Sequence, residues 1–306
     1  SKKAFEIATN ASFTPVLFTD PAAVPSNMQA LSAWTDWVPG PGGGSFAIQP
    51  NTTYYWRARY TPTAGSTVVG TTQTFTTPST GNNIVGNGTA ASCTLPALKA
   101  AFNEYTQRVE FNCGPVPVQF QLDTTYLTKG PLEIDGKGKV TLVAKPGSRI
   151  FEHALGTFTL KNITLTGGSA PGDCGGAIKV DAGTVNLDHV HITFSSAAQG
   201  GALCALAGTS VSVWHSELQK NTASNQGGGI WAAGTMDVSR STLVGNQATN
   251  QGGGIYIANT TSEVDLMWST AVFTTTTGGS GRGGGVYVGP GGFASVYTST
   301  ISTNSA

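Results

Sequence analysis

The sequence predicts an all-β chain whose larger part is a parallel β-helix, and three observations carry that prediction. The segments GGAIKV (175–180), GGALCA (200–205), GGGIWA (227–232), GGGIYI (252–257) and GGGVYV (283–288) are variants of one motif. Their first apolar residues, Ile178, Leu203, Ile230, Ile255 and Val286, are spaced by 25, 27, 25 and 31 residues. A period in this range marks a solenoid, whose repeats bury their apolar faces only against their neighbours. Each repeat also carries a second alternating run: Val185/Leu187, Val211/Val213, Met236/Val238, Val264/Leu266 and Ala294/Val296. A further apolar position follows at Ile192, Leu218, Leu243, Ala271 and Ile301. A period of two means strands with one face inward, and the Gly, Asn and Ser clusters between them mean turns. Finally, the same register stacks Ser195, Asn221, Asn246, Thr274 and Asn304 in a polar ladder at one turn. Side chains at the ~4.8 Å strand spacing can hydrogen-bond up such a column. The repeated Gly pairs fit turns that need φ > 0 or close approach between coils.

Taken in order, residues 1–78 alternate like antiparallel strands. The run Ile48-x-Pro50-x-Thr52-x-Tyr54-x-Trp56-x-Ala58, followed by TQTFTT (72–77), resembles the second half of a fibronectin type III domain. The stretch FEIATNASFTPVLFTD (5–20) is similar to that family's third strand and the turn after it. The resemblance implies a β-sandwich whose first two strands are missing before Ser1, leaving exposed edges. Residues 79–92 read as a polar linker. Residues 93–113 read as a cap over the first coil, because Leu95, Leu98, Ala101, Phe102 and Tyr105 fall at helical spacing. Residues 114–306 read as the β-helix.

With LTKGPLEIDGKGKVTLVA (127–144) and the Gly repeats, the segment 88–306 resembles secreted bacterial right-handed parallel β-helix surface proteins. These include the autotransporter, polymorphic outer-membrane-protein and adhesin-like types. The resemblance implies a right-handed coil and a secreted or cell-surface location. It leaves the function open, since adhesins, fibres, lyases and glycosidases share the fold.

Composition narrows the partners. Only 10% of residues are charged and the formal net charge is zero, so the chain has no basic footprint for nucleic acid. No apolar run approaches the ~20 residues of a membrane helix. Four cysteines in an extracellular setting suggest bridges. Cys93 and Cys113 are expected to pair across the cap. Cys174 and Cys204 lie in successive coils at different register positions; they either bridge through a folded-back turn or remain two small buried thiols.

Candidate chemistry lies in the outward columns. Trp231, Tyr256 and Tyr287 form an aromatic column above Lys179 and Cys204, suited either to sugar rings or to plain cross-strand stacking. His189, His215, Arg240 and Trp268 form another, with His191 and Glu217 two residues on. His189 and His215, beside Asp188, are the nearest approach to a metal or acid–base site, and no metal or other cofactor is expected. Asp237 and Asp265 on adjacent coils loosely meet the separation of a glycosidase pair. Asp173, Asp181 and Lys179 gather in one coil, too little for a calcium-dependent lyase site. The expectation is therefore a non-catalytic extracellular structural protein with no catalytic residues, either a filament subunit or an adhesin segment. A polysaccharide-degrading enzyme and a glycan-binding module are the alternatives, with cell-surface or matrix polysaccharide as ligand. Both ends read as unfinished sheets, so strand edges are expected to join copies head to tail into a polymer.

Overall fold

The computed structural model describes residues 2–16, 18–20, 52–76, 82–102, 107–258, 262–279 and 281–306. The chain divides into two compact units, Ser1–Gly81 and Asn82–Ala306.

The described part of the first unit is one antiparallel sheet. Lys2–Ala8 pairs with Phe18–Asp20 on one side and with Thr53–Thr61 on the other. Thr53–Thr61 also pairs with Val68–Val69 and Gln73–Thr76. Tyr54 is buried and stacks on Phe75 at 5.4 Å. Glu6, also buried, receives Arg57 at 2.9 Å and Arg59 at 3.0 Å. Burial pushes the Glu6 carboxyl up, but the two guanidinium groups outweigh it and hold the carboxyl below its usual range. Ile48 and Pro50, which carry part of the fibronectin-like pattern, lie outside the described residues.

The second unit is a parallel β-solenoid. Its long sheet has 14 strands among the described residues, a second sheet has 7 and a third has 5. The second sheet is the Gly-repeat column: Ile178, Leu203, Ile230, Ile255 and Val286 follow one another in register, preceded by Tyr126 and Phe151. Ile178, Leu203, Ile230 and Ile255 are fully buried, and Val286 packs against the same core. The alternating residues of the long sheet pair as their spacing predicts, Val185 with Val211, Met236 and Val264 in turn. All of these side chains meet in one continuous apolar core.

The Asn ladder is present, buried and satisfied. Asn221 Oδ1 accepts from Ser195 N at 2.9 Å, and Asn246 Oδ1 accepts from Asn221 N and Nδ2, both at 3.0 Å. Asn221 Nδ2 also donates to Ile192 O, and Asn246 Nδ2 to Leu218 O. Each amide thus closes backbone groups of the preceding coil, where water cannot reach. A second ladder of serines runs at the neighbouring corner. Ser216, Ser241, Ser269 and Ser299 accept from the backbone N–H of Val190, Ser216, Ser241 and Ser269 at 3.0–3.1 Å. In both ladders the residue just before each rung has positive φ: Phe194, Lys220, Gly245, Phe273 and Thr303 at one corner, His215, Arg240, Trp268 and Thr298 at the other. The left-handed residue turns the chain so that the next side chain points inward.

The start of the unit differs from its sequence reading. Asn82–Val85, in the stretch read as linker, is a strand that pairs in parallel with Arg108–Phe111 in the long sheet. The helix between them covers only Leu95–Ala101. Thr94 caps it by accepting from Ala97 N, and Pro96 stands in the first turn. Leu98 and Ala101 enter the solenoid core, while Phe102 is already extended and meets the Tyr126 ring at 4.7 Å. The residues that would continue the helix, including Tyr105, lie outside the described residues. Cys93 and Cys113 are bonded, with Cα atoms 5.6 Å apart.

Candidate functional site

Cys174 and Cys204 are also bonded, again with Cα atoms 5.6 Å apart, although Cys174 is in register with Gln199 and Cys204 with Lys179. The offset is absorbed by a bulge. Between Ala170 and Cys174 the strand holds three residues where its partner, Ala197 to Gln199, holds one. Arg149 fixes the bulge. Its guanidinium donates to the carbonyls of Cys174 and Gly175 at 2.7 and 3.1 Å and pairs with Glu152 and Asp173. Lys179 pairs with Asp173 and Asp181 at 3.2 and 3.3 Å. Burial raises the Asp173 carboxyl, yet hydrogen bonds from Arg149, the Cys174 N–H and Lys179 outweigh it and hold the pKa at about 2. Each carboxylate of this cluster is paired with Arg149 or Lys179, which the three share, so Asp173 and Asp181 serve the turn at the disulfide and do not form an open calcium cage.

Cys204 heads the column of Trp231, Tyr256 and Tyr287, which follow it in register. The rings of Tyr256 and Tyr287 stack at 5.4 Å and 8°. Tyr256 is buried, at 8% exposure, and Trp231 and Tyr287 are half-buried. The Gly turns lie against the base of this column: a Cβ on Gly200 would stand 3.1 Å from that of Trp231. The column therefore presents no open aromatic platform at Tyr256. Other rings are exposed: Phe194 and Phe273 at one corner, Trp268 at the other with Trp214 beside that corner, and Phe293 and Tyr297 on the strand of the last coil. The sequence signal for the left-handed corner rings was available. An aromatic residue immediately before an inward Ser, Thr or Asn rung occupies the left-handed position and must point outward.

Asp237 and Asp265 are in register on adjacent coils, half-buried, and Asp237 accepts a hydrogen bond from Ser239. Their column continues through Ser212 and Asn186 below and Ser295 above, and none of these neighbouring coils places a Lys or Arg in it. A groove of about 410 Å³ runs along the third sheet over Ala197, Ala223 and Ala248, and its lining holds no ionisable side chain. His153, which the outward columns do not include, is fully buried. Thr128 Oγ1 is 2.9 Å from its Nδ1, and its Nε2 donates to Gly156 O at 3.1 Å.

The histidine corner brings together three of the residues singled out by register. His189 and His215 stack with ring centres 4.8 Å apart and 22° between planes. Asp188 Oδ1 is 2.6 Å from His189 Nδ1. Trp214 sets its ring edge-on to His215 at 4.0 Å and to His189 at 6.1 Å. Arg240, next in the column, lies over the Trp268 ring at 5.3 Å. His191 pairs with Glu217 at 3.3 Å, on the same two coils.

Residues 240–258 match the repeat of the Chlamydia polymorphic membrane protein family. The matched stretch runs from the left-handed Arg240 through the rungs Ser241 and Asn246 to the triple Gly and Ile255–Ile257, so it samples both corners and the glycine turn of one coil. No curated protein and no solved structure matches the chain. Among the described residues no helix is long and apolar enough to cross a membrane.

Proposed function

We propose that the chain is a non-catalytic structural segment of a bacterial cell-surface protein, acting as an adhesin or filament unit. One observation carries the reading: the charged clusters on the solenoid are closed. The Arg149–Asp173–Lys179 group is internally paired, and the coils adjoining Asp237 and Asp265 place no cation in their column to position a substrate. Glycoside cleavage needs one carboxylate as acid and another as base or nucleophile, with substrate held between them. The groove along the third sheet adds no ionisable group to that chemistry. The short match to a surface-protein repeat supports the same location. In this reading the helix Leu95–Ala101 shields the first coils, and copies associate head to tail through strand edges.

Purified protein incubated with a panel of plant, bacterial and host-matrix polysaccharides is expected to release no reducing ends and no unsaturated uronates. Sustained release that is lost in Asp237→Asn or Asp265→Asn would replace this reading with the glycosidase one. Light scattering after size exclusion, together with intact mass, tests the association. Multiples of 31.3 kDa support it, and a stable monomer of that mass removes it.

A further inference from the structure

We propose that Asp188, His189 and His215 form a binding site for a divalent transition-metal ion, zinc, nickel or copper, that ties two adjacent coils together from the outside. One ligand atom from each of the three lies within 4.8 Å of the other two. Two imidazoles and one carboxylate are the donor set that such ions prefer, whereas calcium and magnesium take oxygen alone. A shared ion ~2.1 Å from each ligand atom needs those atoms roughly 3.4 Å apart. The His189 side chain is 55% exposed, and rotation of its ring can close that gap.

Packing does not account for the two histidines. His215 Nδ1 is shut off from solvent and has no hydrogen-bond partner, which disfavours the site as it stands. Both histidines occupy left-handed backbone, with φ of 54° and 46°, where a β-carbon is disfavoured and Gly or Asn would sit at lower cost. The Asp188 carboxylate, 2.6 Å from His189 Nδ1, already stands beside one of the two imidazoles. Two cations adjoin the site and both are engaged elsewhere: Lys161, in register with Asp188, pairs with Glu133 at 2.7 Å, and Arg240 lies over the Trp268 ring.

The rest of the chain offers little competition. It has four histidines. His153 is buried with both ring nitrogens engaged, and His191 is paired with Glu217. All four cysteines are in disulfides, so no thiolate competes for the ion.

The left-handed backbone also makes a clean experiment available. His189→Gly and His215→Gly remove a ligand while easing the backbone, so loss of folding cannot mimic loss of the site. Chelator-stripped protein titrated calorimetrically with zinc chloride is expected to bind one ion per chain. Either glycine variant should weaken that binding at least tenfold, and His191→Gln should leave it unchanged. Copper(II) should quench the fluorescence of the wild type more than that of Trp214→Phe, since Trp214 touches His215. The proposal is overturned by the absence of saturable binding up to about 1 mM zinc. It is equally overturned by binding that survives His215→Gly, by binding lost in His191→Gln, or by quenching identical with and without Trp214.

Discussion

Each coil turns its chain at corners of two kinds, and they obey different physics. At the glycine corner the constraint is space. A Cβ on Gly201 would collide with the carbonyl of Gly228 and stand 2.5 Å from that of Thr222, and Gly228 and Gly253 are crowded in the same way by the coils that follow. At the two ladder corners the constraint is conformation alone. The left-handed residue there points away from the core and is Phe, His, Arg, Trp, Lys, Thr or Gly in different coils. Backbone packed against backbone admits one residue type. A strained but open position admits many, at roughly 1–2 kcal/mol each. Variation in chemistry, including the candidate metal site, therefore collects at the ladder corners.

Substitutions can break or sharpen this contrast. The largest effect is expected from Gly228→Ala, which has no room for its methyl group; urea unfolding followed by circular dichroism should find about 4 kcal/mol or more lost, or no folded protein. A variant of near wild-type stability would show that the coils can separate, and the spatial argument would fail. Asn221→Ala removes an amide that accepts from Ser195 N and donates to two acceptors inside the core. It should cost about 3 kcal/mol by the same measurement, because buried backbone partners are left bare. Replacing Cys174 and Cys204 together with Ala should cost a similar amount, roughly 3.6 kcal/mol for a loop of 30 residues in the chain-entropy picture.

A smaller effect should follow pH. Burial pushes the His153 imidazole below its ordinary pKa, against its hydrogen bonds with Gly156 and Thr128, which favour the charged form. The unfolded chain then binds the proton more readily than the folded one. Stability should fall as pH drops below about 6.5, down to the lowered folded value, and hold steady above it. Melting temperatures across that range should lose this slope in His153→Gln. At the small end, Phe194→Gly and Trp268→Gly relieve left-handed strain but give the unfolded chain more freedom. They are expected to be neutral or about 0.5–1 kcal/mol stabilising. A loss beyond that would mean that these exposed rings pack on something.

Much of this was legible along the chain. The interior stack from Ile178 to Val286, the long-sheet pairs and the Asn ladder all follow from spacing, because a solenoid converts a sequence period directly into a spatial column. The serine ladder was equally periodic, at Ser216, Ser241, Ser269 and Ser299, but serine is common in this sequence and does not announce whether it faces inward. The helix was legible at Leu98 and Ala101 and overextended at Phe102, whose ring leaves the helical path to join Tyr126. The aromatic column was legible in register, while the burial of Tyr256 was not, since exposure depends on what packs beside the ring in three dimensions.

By itself, the sequence determined the period, the inward faces and the columns in which His189, His215, Asp237 and Asp265 stand. Tertiary structure alone decided what depends on distance across coils: that a bulge held by Arg149 carries Cys174 to Cys204, that Asp173 and Asp181 are neutralised, and that two imidazoles and Asp188 converge. The physical reason is that repeats fix register, which sequence spacing measures, whereas bulges, rotamers and ion pairs are settled by neighbours that lie a full coil away along the chain.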